Sequence, residues 1–370
     1  MQYEGIFLIN CLKKWNKCTS YGYENLEKID WEKLWELCEF HKVVGFVFYN
    51  MLINCVNIPE EIKERANNWF EKTKKINELQ RAEFCSLAEQ MKENIFAIKG
   101  IWLTNCLYKT DLVRRGMDID IVFNKKEKKE LEDYLCERGY VQGIFDYIEK
   151  RIVLATREEI LYQELYTHEL YQYIKLIDNV PIRLDCNFKF SWCGEKSYLA
   201  PNPDWKYLCQ NSTQYTIGET IISSFSKELQ FVHLCVHCYN EYHYFLYESK
   251  VEYRELRLYR LIDIRTIVFD CCMNWAEIKK IGDEVGAMEQ IYFCLSLNKS
   301  IFGDDLFSDY ICSENSETIN RYITRDGEYT NWRISLEDRL FDIEARKKET
   351  EWIYEQNGKR KRDETVKNFV

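Results

Sequence analysis

Ten residues, RRGMDIDIVF at 114–123, set the tightest limit on how this 370-residue chain folds. Ile119, Ile121, Val122 and Phe123 have the β-branched and aromatic side chains of a strand. In a strand, residues two apart share a face. Asp118 and Asp120 therefore stand on one face, and Ile119 and Ile121 on the other. Two adjacent carboxylates repel each other and resist burial. The strand must then sit in a sheet whose apolar face packs under helices and whose acidic face meets water or a divalent cation. Paired carboxylates are good hard ligands for such a cation. Two cations about 3.5–4 Å apart can hold both the attacking and the leaving oxygen of a phosphoryl transfer.

The flanking residues supply what a phosphate needs. IFAI at 95–98 reads as a short strand, Lys99-Gly100 as a turn, and IWLTNCLY as a helix. A glycine at that turn lets a phosphate approach the backbone, and the first amides of the helix can donate to it. Lys99 adds a positive charge there, and Arg114 and Arg115 bring guanidinium forks that suit phosphate oxygens. Asp185, the acidic residue of the strand-like run VPIRLDCNFKF, is the candidate third carboxylate. It would serve as a metal ligand, or as the base that takes a proton from an acceptor hydroxyl.

The order of elements around this block suggests an α/β (α+β) fold with a mixed sheet and flanking helices. Residues 1–92 form an N-terminal helical region, with a long amphipathic helix beginning at Pro59. Residues 93–195 form the core. KKEKKELEDYLCERGY reads as a helix stopped by Gly139, and strands are expected at 145–155, 169–177 and 181–190. Residues 191–208 read as a loop. Residues 196–370 form a C-terminal helical region with a charged tail, in which the helical pattern returns at Ile217. No internal repeat is visible.

At this point the chain resembles a known group. AIKGIWLTNCLYKTDLVRRGMDIDIVF is similar to the KG…LY…R…DIDLLV signature of an uncharacterised nucleotidyltransferase family, a branch of the DNA polymerase beta-like superfamily. THELYQYIKLIDNVPIRLDCNF resembles that family's histidine-containing strand region and second functional strand. LQFVHLCVHCYNEYHYFLY and LRLYRLIDIRTIV resemble its helical part. The likeness spans about residues 93–270. It implies a nucleotidyltransferase-type sheet, Mg²⁺ or Mn²⁺ at Asp118 and Asp120, and transfer of a nucleotidyl group from a nucleoside triphosphate such as ATP with release of pyrophosphate. The chain departs from the wider superfamily at Gly100-Ile101, where Gly-Gly or Gly-Ser is usual. It also departs on the second strand, where an acidic residue, a Leu and a His are common and Arg183, Leu184 and Asp185 are read here.

Other chemistry is excluded on its own terms. His233, Cys235, His237 and Cys238 suggest zinc by composition, but four such side chains cannot converge from one continuous helix, and residue 234 is Leu where an H-E-x-x-H site needs Glu. His237 and His168 are candidates for the cleft: His237 could reach the nucleotide or acceptor, and His168 reads either as a structural histidine or as one that orients a phosphate or a metal ligand. No P-loop, dinucleotide fingerprint or nucleophile elbow occurs. The 16 cysteines are scattered in apolar segments, as reduced core residues would be. A net charge of −10 argues against an extended nucleic acid or an anionic membrane as partner. With no membrane-length apolar run and no signal peptide pattern at the start, the expectation is a cytoplasmic enzyme. Its acceptor would be a small molecule, a peptide or a protein. The competing expectation is a nucleotide-binding module on the same fold with weak or no turnover.

Overall fold

The computed structural model describes residues 3–13, 25–108, 110–191, 200–243, 256–303, 318–324 and 328–367. Residues 192–199 of the expected loop, and 244–255 of the expected helical stretch, lie outside them.

Four helices open the fold: α1 (Tyr3–Lys13), α2 (Trp31–Phe40), α3 (Val44–Ile53) and α4 (Glu60–Met91). Helix α4 follows Pro59, whose fixed φ suits a helix start. Its buried residues run Ile62, Ala66, Phe70, Thr73, Asn77, Gln80, Phe84, Leu87, Ala88 and Met91. That spacing of three and four is a single stripe on one face. The stripe is apolar at both ends and polar in the middle. The middle covers the loop that leads to the paired aspartates. Asn77 donates through Nδ2 to the carbonyls of Asp111 (2.7 Å) and Arg114 (2.9 Å), and its Oδ1 accepts from the amide of Gly116 (2.9 Å). A Cβ at Gly116 would lie 1.9 Å from Gln80 Oε1, and one at Gly45 in α3 would lie 2.1 Å from the Val113 carbonyl. At Gly45 the neighbour is fixed backbone and glycine alone allows the approach, whereas at Gly116 a side chain would force Gln80 to move.

The core contains β1 (Ile95–Ala97), α5 (Lys99–Trp102), β2 (Ile119–Phe123), α6 (Lys128–Glu137), β3 (Val141–Asp146), β4 (Arg151–Leu154), α7 (Arg157–Tyr166), β5 (Tyr173–Ile177) and β6 (Val180–Asn187). After α8 (Trp205–Gln210) come β7 (Ser212–Ile217) and β8 (Thr220–Phe225). The eight strands form one mixed sheet in the order β4-β3-β5-β6-β2-β1-β8-β7. Strand β2 pairs antiparallel with β1 and parallel with β6, while β1 pairs parallel with β8. The fold class is therefore the expected mixed sheet with flanking helices.

Local expectations are corrected at five places. The expected loop over 191–208 gives way to α8 at Trp205, where Asp204 caps the helix. The strand expected over 145–155 is a hairpin, because β3 and β4 turn back on each other. Helix α7 was not anticipated, although Thr156 and Glu159 form a capping box at its start. The helix expected over IWLTNCLY is only α5 followed by a π-helical turn, Leu103–Leu107. The stretch from Ile217, expected to be helical, opens as the β7–β8 hairpin. Gly218 at φ 59° makes the two-residue turn there, and TIISSF is β-branched and small rather than helix-forming.

The helices resume with α9 (Lys227–His243), α10 (Leu258–Asp270), α11 (Trp275–Val285) and α12 (Met288–Phe302). A small pair, β9 (Arg321–Ile323) and β10 (Tyr329–Asn331), precedes α13 (Leu336–Phe341) and α14 (Ile343–Lys367). Helix α9 is buried on nearly all sides because α10, α11 and α12 pack around it. One hydrophobic cluster runs from Phe7 in α1 to Phe341 in α13 and takes in the thiols of Cys38, Cys186, Cys235 and Cys294. Among the described residues no helix is long and apolar enough to cross a membrane.

Asn77→Ala tests the polar middle of α4. It leaves a buried amide and two carbonyls without their partner, at a cost of about 2–4 kcal/mol. Thermal unfolding should show a melting temperature lower by several degrees; an unchanged value would mean that the loop does not depend on α4.

Candidate active site

The register of β2 against β6 builds the site. Asp120 stands beside Asp185 and Ile119 beside Leu184, so both aspartates project from the same face of neighbouring strands. Asp118 lies one pleat before Asp120. One carboxylate oxygen from each of Asp118, Asp120 and Asp185 lies within 4.8 Å of the other two. Asp120 is buried, and the other two are partly exposed. Gln172 Nε2 donates to Asp185 at 2.8 Å and fixes its carboxylate. On β6, Asp185 and Asn187 line the cavity, and Cys186 between them is buried on the opposite face. Arg183 donates to the carbonyl of Met117. Asn187 is buried and donates to the Ile121 carbonyl at 3.0 Å, tying β6 to β2.

Lys99 opens α5, just after β1, with φ 46°, a left-handed conformation that a side chain with a Cβ adopts at a cost. From there its Nζ reaches Asp120 Oδ1 at 2.9 Å. Gly100 follows, and the nearest atom to a Cβ built on it is Arg114 Nη1, at 3.0 Å. Arg114 is gripped by Asp263 of α10, with Nε and Nη2 both bonded to its carboxylate. Arg115 turns toward α4, donating to Thr73 Oγ1 at 3.0 Å and stacking over Trp69.

Charge is unbalanced at the aspartates. Burial raises the pKa of Asp120 to about 6; Lys99 opposes the rise and Asp118 adds to it. Burial, and then the charges of Asp118, Glu169 and Asp120, push Asp185 well above the usual carboxylate range. Glu169, held by Gln163 Nε2 at 2.9 Å, is raised to about 7, first by burial. For Lys99, burial favours the neutral amine, but Asp120 beside it prevails and the pKa rises. The histidines add no positive charge near neutral pH. His168 and His233 are lowered to about 3 and His237 well below its usual value, in each case first by burial and then by Lys99. One ammonium thus faces four carboxylates. A set of clustered, incompletely neutralised oxygen donors fits a hard divalent cation.

A cavity of about 520 Å³ gathers all of these groups. Lys99, Gly100, Arg114, Arg115, Asp118, Asp120, His168, Asp185 and His237 all line it. His233 packs edge-on against Phe190 and Phe225. Cys235 and Cys238 stay within the packed α9, where the Cys235 carbonyl accepts from the Cys294 thiol. Among the described residues, the three aspartates form the only group of three or more potential ligand side chains close enough to share an ion. Sequence reasoning missed Glu169, Asn187, Glu241, Arg260 and Asp263, all of which line the cavity. Glu169 was visible only as the neighbour of His168, and Asp263 only as the acid of the LIDI segment.

Residues 27–303 match the family described as uncharacterised nucleotidyltransferase. The comparison with curated proteins gives no match.

Asp185→Asn should make the metal-free protein more stable, because it removes one of the crowded charges. The folded-state pKa of Asp185 is raised above its unfolded value. Its contribution is therefore most favourable at acidic pH and is lost as pH rises. The gain in melting temperature over wild type should be small near pH 4 and grow toward pH 8. A variant less stable than wild type at pH 8 would contradict this account of the site.

Proposed function

Because the chain belongs to the uncharacterised nucleotidyltransferase family, we propose that it transfers a nucleoside monophosphate from a nucleoside triphosphate to an acceptor hydroxyl, releasing pyrophosphate. The observation that carries this reading is the convergence of three carboxylates from β6 and the start of β2 in one cavity that Lys99 and Gly100 of α5 also line.

Asp118, Asp120 and Asp185 would hold Mg²⁺ or Mn²⁺, which when bound neutralises charge on the phosphates and draws the reacting oxygens together. Lys99, the backbone at Gly100, and Arg114 would receive the phosphates at the adjoining turn. Asp185, as an alternative to ligating the metal, would take the proton of the acceptor hydroxyl. The hydroxyl oxygen bonds to the α-phosphorus, and the bond from that phosphorus to the bridging oxygen of pyrophosphate breaks. Most of the rate comes from positioning and charge neutralisation in a site shielded from bulk water. The acceptor is a small molecule, peptide or protein, in keeping with an acidic chain. A second reading, nucleotide binding without turnover, draws on one observation: Lys99 already occupies an oxygen of Asp120.

Thermal unfolding with each nucleoside triphosphate, with and without Mg²⁺, tests the binding. A ligand at 100 times its Kd stabilises by about 2.7 kcal/mol. The expected result is a Mg²⁺-dependent rise with at least one triphosphate, lost in Asp120→Asn. A pyrophosphate-release assay with that nucleotide and candidate acceptors then separates enzyme from binding module. No shift with any nucleotide at millimolar concentration would remove the reading.

A further inference from the structure

Arg114 is held by one edge only. Its Nε lies 3.0 and 3.1 Å from the two carboxylate oxygens of Asp263, and its Nη2 lies 3.0 Å from Oδ2. The Tyr108 hydroxyl donates to the same carboxylate. Asp263 is 2% exposed and Arg114 is 11% exposed, so the fork is shielded from water. The opposite edge of the guanidinium, Nη1, makes no hydrogen bond among the described residues. It lies against Gly100, where a Cβ would come within 3.0 Å of it, and Arg114, Gly100 and Asp263 all line the cavity.

This arrangement is assembled from two distant stretches of chain, the segment around residues 100–114 and α10. Asp263 comes from α10, 149 positions after Arg114. Tyr108 follows the π-helical turn Leu103–Leu107, and its amide bonds back to the Leu103 carbonyl. Such turns interrupt regular helices and are frequent at functional sites. Tyr259 of α10 flanks the guanidinium, with its ring centroid 5.6 Å away.

An unrestrained arginine has many rotamers, and binding would have to freeze them. Clamping one edge during folding leaves the other edge preset, so less is lost when a ligand arrives. We infer that Asp263 is a positioning residue: it fixes the Nε–Nη2 edge of Arg114 so that Nη1 stays at Gly100, ready for a phosphate oxygen of the triphosphate. The inference rests on the reading that a nucleoside triphosphate binds in this cavity. It makes the helical part of the chain a direct contributor to phosphate recognition, because α10 sets where the arginine of the β2 loop can point.

The test uses the full chain and calorimetric titration with ATP, and then with the three other ribonucleoside triphosphates, each with Mg²⁺. Asp263→Asn should weaken the wild-type affinity tenfold or more. Tyr108→Phe removes a single contact to Asp263 and should weaken it severalfold. The charge-swapped pair Arg114→Asp with Asp263→Arg separates positioning from simple structural support. It should recover melting temperature relative to Asp263→Asn and still bind the triphosphate poorly, because the cation no longer lies at Gly100. If wild type binds while Asp263→Asn and Tyr108→Phe bind equally well, the inference fails and the proposed function stands. The inference also fails if the swap restores affinity together with stability. If wild type binds none of the four, both fail. Should Asp263→Asn not fold, Tyr108→Phe and the swap decide the outcome by the same criteria.

Discussion

The pairing of Asp120 with Asp185 across β2 and β6 is the contact on which the site depends. It sets two carboxylates side by side, where burial first and then neighbouring carboxylates, Asp118 above all, make both harder to ionise. A fold selected for stability alone would not keep this arrangement. The surrounding structure restrains it instead of relieving it: Lys99 bonds one carboxylate, Gln172 bonds another, and Asn187 ties the two strands together beneath them. The unbalanced charge that remains is of the kind a hard divalent cation could neutralise.

That pairing is useful only if the loop before β2 delivers Asp118 and the arginines to the same place. Residues 111–116 have no regular secondary structure to hold them. The polar centre of α4 does so, through Asn77, Gln80 and Thr73. Asp263 of α10 holds the same loop from another direction, through Arg114. Helices that precede and follow the sheet therefore share the work of shaping one loop. The continuous hydrophobic cluster from α1 to α13 is consistent with that division.

Some of this was legible from the residues. The alternation in DIDIVF gives the shared face of Asp118 and Asp120, and the strand, turn and helix around Lys99-Gly100 were read in their observed order, although the helix is shorter and ends in a π turn. The β7–β8 hairpin was misread because TIISSF runs directly into the strong helical pattern of α9. Helix α7 was missed because its apolar residues Leu161, Tyr162, Leu165 and Tyr166 are exposed, so no buried stripe accompanies its capping box. Glu169 and Asp263 could not be singled out, since an isolated acid in a strand-like or helical run looks the same whether it meets solvent or a cavity.

The sequence alone determined the periodic features: which residues share a strand face, where the long amphipathic helix starts, and where a glycine follows the first strand of the core. Those follow from the geometry of a single element, which a pattern two, three or four residues long can encode. Only the tertiary structure decided that Asp185 stands level with Asp120, that Asn77 secures the β2 loop, and that Asp263 grips Arg114. Each of these is a match between elements tens to more than a hundred residues apart. It is set by strand register and helix packing, and a shift of one residue in either would turn the same side chain to another face.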